Sequence, residues 1–136
     1  MTEENKKLLL IDFSDRVPYG VKVKVPCLQE DIDFTLNSVD KEGFTVIKKA
    51  NGSKFEFEVS NTIEIFPYLR TMSSMTEEEK EEYCNLQDKL LYSSRYPVTD
   101  AYELFDWLNA HHFDYRNLAE RRLAIAVTEE NNPYKE

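Results

Sequence analysis

The first half of the chain alternates apolar and polar residues with a period of two. Val21, Val23 and Val25 are separated by Lys22 and Lys24; Ile32, Phe34 and Leu36 by Asp33 and Thr35; Phe55, Phe57 and Val59 by Glu56 and Glu58. Side chains on an extended strand point to opposite faces in turn, so this spacing places one residue in a core and the next in water, and it does not fit a helix. The punctuation between the runs agrees. Asn51-Gly52 is a strong hairpin signal because both residues tolerate positive φ. Pro18-Tyr19-Gly20 and Asp40-Lys41-Glu42-Gly43 read as further turns. Additional strands are predicted over residues 44–48 and 62–65, and over 8–12 on the apolar run Leu8-Leu9-Leu10-Ile11. Short, closely spaced strands of this kind suggest a small antiparallel barrel, SH3-like or OB-like. It would bury Val21, Val23, Val25, Phe34, Leu36, Phe44, Val46, Phe55, Phe57 and Ile65.

The pattern changes over residues 67–76. Thr76-Glu77-Glu78-Glu79 is a capping box, with Thr at the N-cap and Glu three residues on, and its acids suit the positive end of a helix dipole. A helix is predicted from there to about Leu91, with Tyr83, Leu86, Leu90 and Leu91 on one stripe. After the connector Ser93-Ser94-Arg95-Tyr96-Pro97, Thr99 reads as the next N-cap. Ala101, Leu104, Phe105 and Leu108 then repeat at helical spacing, widened by Tyr102 and Trp107. Asp114 is a candidate cap for a short third helix through Arg122. The expectation is therefore an α+β fold: a β-barrel or sheet over 1–70, a helical region over 71–136 packed on it as one compact unit, and a frayed acidic tail over 128–136.

Charge follows the same division. The chain has 136 residues and a net charge of -9, with a pI near 4.8. Residues 1–70 hold 10 Lys+Arg against 12 Asp+Glu, and residues 71–136 hold 7 against 14, so the halves carry -2 and -7. This acidity argues against a protein that coats nucleic acid through its phosphates. The length suits a single small domain and is short for a two-domain nucleotide enzyme. No apolar run approaches the roughly 18 residues that span a bilayer, and the polar start of the chain lacks the pattern of a secretory signal. The expected setting is cytoplasmic, with Cys27 and Cys84 as free thiols.

Chemistry-bearing motifs are sparse. His111, His112 and Asp114 form a His-His-x-Asp cluster that holds both histidines of the chain. One ring oriented by a carboxylate is the pattern of a general base. Helix termination and capping explain the same residues more simply, with Asp114 as an N-cap and the histidines at a helix C-terminus. Cys84 lies among acids, which disfavour a thiolate. Adjacent carboxylates such as Glu77 to Glu82 fit a solvated helix face. With three glycines the chain has no phosphate-cradling loop. No catalytic, cofactor or metal residue is therefore expected. Arg116, Arg121 and Arg122 are candidates to pair with the glutamates of the first capped helix. Lys22, Lys24, Lys48, Lys49 and Lys54 read as a solvated face, with nucleic-acid binding by that face the weaker reading.

Three segments resemble a recurring pattern in small uncharacterised proteins from phages and prophages of gut Bacteroidetes. They are Val17-Pro18-Tyr19-Gly20-Val21; Pro67-Tyr68-Leu69-Arg70-Thr71-Met72-Ser73-Ser74-Met75-Thr76-Glu77-Glu78-Glu79; and Trp107-Leu108-Asn109-Ala110-His111-His112-Phe113-Asp114-Tyr115-Arg116. In that group a Gly often follows the Asp-Tyr-Arg, where this chain has Asn117. The resemblance implies a phage or prophage origin and a cytoplasmic setting in the host, and names no activity.

The functional expectation is a non-enzymatic interaction protein. Its anchors would be the aromatics Tyr102, Trp107, Phe113 and Tyr115, presented to a host or phage protein or to a second copy of the chain. The alternative is an acidic mimic of nucleic acid that inhibits a host defence enzyme, motivated by the -7 of the second half.

Overall fold

The computed structural model describes residues 2–26, 34–40, 42–59, 65–93 and 95–134. Cys27, Ile32, Asp33 and most of the strand predicted at 62–65 lie outside these. The element order is α1 (Glu3–Arg16), β1 (Lys22–Lys24), β2 (Phe34–Val39), β3 (Phe44–Lys48), β4 (Lys54–Glu58), β5 (Phe66–Leu69), α2 (Glu77–Tyr92), α3 (Pro97–Ala110) and β6 (Ile125–Ala126). This is an α+β fold. The strands form one six-stranded sheet in the order β4-β3-β2-β1-β5-β6, antiparallel except for the β5–β6 pair. The sheet is open, and no ladder joins β4 to β6 among the described residues.

The predicted strand at 8–12 is instead the middle of α1. Thr2 caps this helix by accepting from Asn5 N at 3.1 Å, Glu3 and Glu4 occupy the first turn, and Arg16 sits in the last. Its buried residues are Leu9, Asp12, Phe13 and Arg16, spaced i, i+3, i+4, i+7. Half of this stripe is charged, so apolar periodicity alone does not reveal the helix. Leu9 and Phe13 pack on the sheet face that carries Val23, Phe34, Leu36 and Ile47. Gly43, at φ 95°, lies directly under Leu10 of this helix.

One strand turns the opposite way from its prediction. In β3, Thr45 and Ile47 face the core, and Phe44 is exposed. The ladder sets this, because Ile47 stands opposite both Leu36 and Phe55, and Thr45 opposite Phe57. The sequence Phe-Thr-Val-Ile-Lys is apolar on both faces, so pairing decides which face is buried. On the outward face Lys22 stands opposite Thr35, Thr35 opposite Lys48, and Lys48 opposite Lys54. Lys49 points the other way, over the rings of Phe34 and Phe55.

Helices α2 and α3 form an antiparallel hairpin with its own small core of Leu104, Leu108 and Phe113, flanked by Tyr83, Leu86, Leu90 and Trp107. The capping box of α2 is complete: Glu79 N donates to Thr76 Oγ1 at 3.2 Å and Thr76 N donates to Glu79 Oε1 at 2.9 Å. Helix α3 begins two residues before the expected Thr99, at Pro97, whose missing N–H is harmless in a first turn.

The third helix predicted after Asp114 does not form. The segment 112–122 is a chain of turns with His112, Asn117 and Arg122 left-handed. Helix α3 closes on a Schellman motif, in which Phe113 N donates to Leu108 O and His112 N to Asn109 O. The pattern recurs ten residues later, with Leu123 N to Leu118 O and Arg122 N to Ala119 O. Asp114 does cap, but caps a turn, accepting from Leu118 N and Ala119 N. The tail expected to fray over 128–136 is docked through Tyr134. Its hydroxyl accepts from Lys22 N at 2.9 Å and donates to Tyr68 O at 2.7 Å.

Candidate functional site

The four aromatics singled out from sequence part company in the fold. Phe113 is fully buried, so it is a core residue and no surface anchor. Trp107 is half-buried; its indole N–H donates to Glu82 Oε2 at 2.8 Å, and its ring packs against Tyr83, His111 and Phe113. Tyr115 is half-buried, with its hydroxyl donating to Asn109 Oδ1 at 2.9 Å and the guanidinium groups of Arg16 and Arg116 over its ring. Tyr102 alone stands clear, 68% exposed.

Around Tyr102 lies a surface that sequence reasoning missed. Leu91, Tyr92, Tyr96, Val98 and Phe105 are all large, apolar and exposed, with Tyr92 at 82% and Tyr96 at 71%. Leu91 and Tyr92 end α2, Tyr96 is the N-cap of α3, and Val98 and Phe105 lie on α3 itself. Val98, Tyr102 and Phe105 share one face at i, i+4, i+7. Pro97, Val98, Ala101, Tyr102 and Phe105 line an apolar recess of about 380 Å³. Phe105 also meets Tyr115, ring to ring at 5.3 Å. In the sequence, Tyr92 and Tyr96 flank a Ser-rich connector and read as linker, and Phe105 reads as part of the inward stripe. Leu104 and Leu108 take that inward role, and they leave Phe105 at the margin.

The His-His-x-Asp cluster is split three ways. His111 Nδ1 lies 3.3 Å from Glu79 Oε2, beside the bidentate pair that Arg70 makes with Glu79 at 2.7 and 2.8 Å. The Arg70 hydrogen bonds hold the Glu79 carboxyl down at about 2, against an ordinary 4.5. His112 stacks flat on Tyr134 at 3.8 Å. Burial, then the positive charges of Arg16, His111, Arg70 and Lys22, lower its pKa to about 4. Asp114 is spent on backbone capping. No group of three or more His, Cys, Asp or Glu able to hold a metal ion occurs among the described residues. Cys84 is exposed.

The arginines also pair differently from expectation. Arg116 binds Asp12 at 2.6 Å and also Asp15, both on α1, and Arg70 is the one that reaches the α2 glutamates. Arg16, fully buried, donates to Asp12 Oδ2 and to Phe113 O, both at 2.7 Å. This network fastens α1 to the loop after α3. No helix among the described residues is long and apolar enough to cross a membrane. Compared with family models, curated proteins and solved structures, the chain matches none.

Proposed function

We propose that this chain is a non-enzymatic interaction protein that docks a partner protein through the exposed hairpin surface centred on Tyr102, in the phage or prophage setting that its resemblance implies. The observation that carries this reading is the exposed apolar recess of Pro97, Val98, Ala101, Tyr102 and Phe105, with Leu91, Tyr92 and Tyr96 also exposed on the residues leading into α3. At roughly 150–250 Å² per aromatic side chain, the exposed part of these residues is on the order of 700 Å², close to the ~800 Å² that one side of a standard interface contributes. Scattered single apolar residues would mean nothing, whereas a patch of this size needs a cover.

Charge selects the kind of partner. On α2 and α3, Asp88, Glu103 and Asp106 are exposed and Asp100 is buried, against Lys89 on α2 and Arg95 in the connector. Lys89 is already held by Asp100 and Glu103. A second copy would bring like charges together, which opposes association. The favoured occupant is a basic amphipathic segment, its apolar stripe on Tyr102 and its cations toward the exposed acids. Two series of helical peptides with the same apolar stripe, one flanked by Lys and one by Glu, test this in purified form. The Lys series should bind, and the pair Val98→Ser and Tyr102→Ser should weaken it about tenfold, the scale of an interface anchor. Equal binding of both series, or a dimer of the free protein that the same substitutions dissolve, would reject it.

A further inference from the structure

We infer that the recess between the turn at Met72–Met75 and helix α2 is a soft-metal site that takes one Cu(I) ion, with Cys84 as thiolate ligand and Met72 and Met75 as thioether ligands. Two of the chain's three methionines and the one cysteine among the described residues line this single recess, of about 250 Å³.

Two short-range geometries bring the sulfur residues there. Met72–Ser74 is a single 3₁₀ turn, closed by Met75 N donating to Met72 O at 3.5 Å. Residues three apart eclipse in such a turn, so Met72 and Met75 share a face. On α2, Lys80, Cys84 and Gln87 recur at i, i+4, i+7 and share the face that closes the recess. Both methionines are half-buried against the hairpin core, and Cys84 is exposed, which leaves the recess open to an ion from solvent.

Chemistry selects the ion. Thioether sulfur is a soft, neutral donor that suits Cu(I), whereas Mg(II) and Ca(II) take oxygen ligands. Zn(II) draws its ligands from Cys, His, Asp and Glu, and no group of three of those that could hold a metal occurs among the described residues. One thiolate and one monovalent cation sum to zero charge, which suits a half-buried recess that Lys80 also lines. Lys80 has no lone pair to offer, and its ammonium donates to Glu77 Oε1 at 3.2 Å. Gln87 Nε2 donates to the Tyr83 hydroxyl at 2.9 Å. Binding replaces the Cys84 S–H bond with S–Cu and releases that proton to water, with no change of oxidation state, so affinity should rise with pH.

The test is anaerobic titration of the intact protein with Cu(I) against a chromophoric Cu(I) chelator, with the methionine methyl groups followed by NMR. One ion per chain should bind, and the methyls of Met72 and Met75 should shift together and saturate at that ratio. Cys84→Ser, at an exposed position, should abolish the site, and Cys27→Ser should leave it intact. The pair Met72→Leu and Met75→Leu conserves apolar volume and so keeps the packing. It should weaken Cu(I) by at least about tenfold, since even residues behind the ligands act on that scale. Retention of Cu(I) by Cys84→Ser, its loss on Cys27→Ser, full affinity in the double Leu variant, or one ion shared between two chains would overturn the assignment. Zn(II) displacing Cu(I) at equal concentration would overturn the choice of ion. Val98→Ser and Tyr102→Ser should leave Cu(I) binding intact, so this result stands apart from that of the hairpin surface.

Discussion

Asp12 and Arg16 form a fully buried ion pair, and Arg116 shares the same carboxylate. Removing one member leaves a charge stranded in the core, at a cost of about 3–5 kcal/mol. Asp12→Ala should therefore destabilise by that amount in urea melts, where an exposed acid such as Glu78 should give less than ~0.5 kcal/mol on the same change. His112 sets a pH dependence. Its folded-state pKa of about 4 lies below the ordinary 6.5. As pH falls through that window the unfolded chain takes up a proton that the folded chain refuses, so stability drops, by up to ~3 kcal/mol for this shift. Thermal melts from pH 7.5 to 4 should show the decline, and His112→Gln should flatten it. Glu79 acts lower down: its stabilisation is complete above about pH 4.5 and is lost toward pH 2. The two windows separate the residues in one titration. Neither partner of these groups was readable from the chain. His111 and His112 are adjacent in sequence, but the left-handed turn at His112 sends one ring to α2 and the other to the C-terminal tail.

The capping box of α2 was legible because its physics is local: Thr76 and Glu79 satisfy each other's backbone N–H within one turn. Thr76→Ala should cost about 1 kcal/mol, measured as a shift in the melting curve. The strand β1 and the hairpin β3–β4 were legible for the same reason, since alternation and the Asn51-Gly52 signal are short-range, although the loop closed by Lys49 and Ser53 spans three residues with only Gly52 at positive φ. Helix α1 was not. Its inward stripe uses a buried ion pair in place of two apolar residues, and Leu8 to Ile11 offers a run that suits a strand equally well. The facing of β3 was ambiguous in principle, because both of its faces are apolar. Apolar residues of α3 divide similarly. Leu104 and Leu108 are held by α2, and Val98 and Tyr102 are 69% and 68% exposed. Val98→Ser and Tyr102→Ser should accordingly change stability by less than ~0.5 kcal/mol, where Leu108→Ala should cost about 2–5 kcal/mol.

At the scale of the molecule, the tail is a structural clasp. Tyr134 bridges β1 and β5 through its hydroxyl and covers His112 with its ring, and β6 extends the sheet beyond β5. Tyr134→Phe keeps the stacking and loses two hydrogen bonds, so it should destabilise by roughly 1–2 kcal/mol. Truncation before Ile125 should in addition speed hydrogen exchange along β5. Part of the acidity that dominates the composition is taken up by internal contacts: Glu79, Glu82, Asp12 and Asp15 are all engaged. The chain by itself determined the α+β class, the strands that alternate, the capped helix and the position at which β gives way to α, because each is encoded within a turn or two of backbone. Only the tertiary structure decided which aromatic is core and which is surface, which arginine meets which acid, and where two left-handed turns place His112 and Arg122. Those outcomes depend on residues roughly a hundred positions apart, as with Asp12 and Arg116, whose pairing no local pattern records.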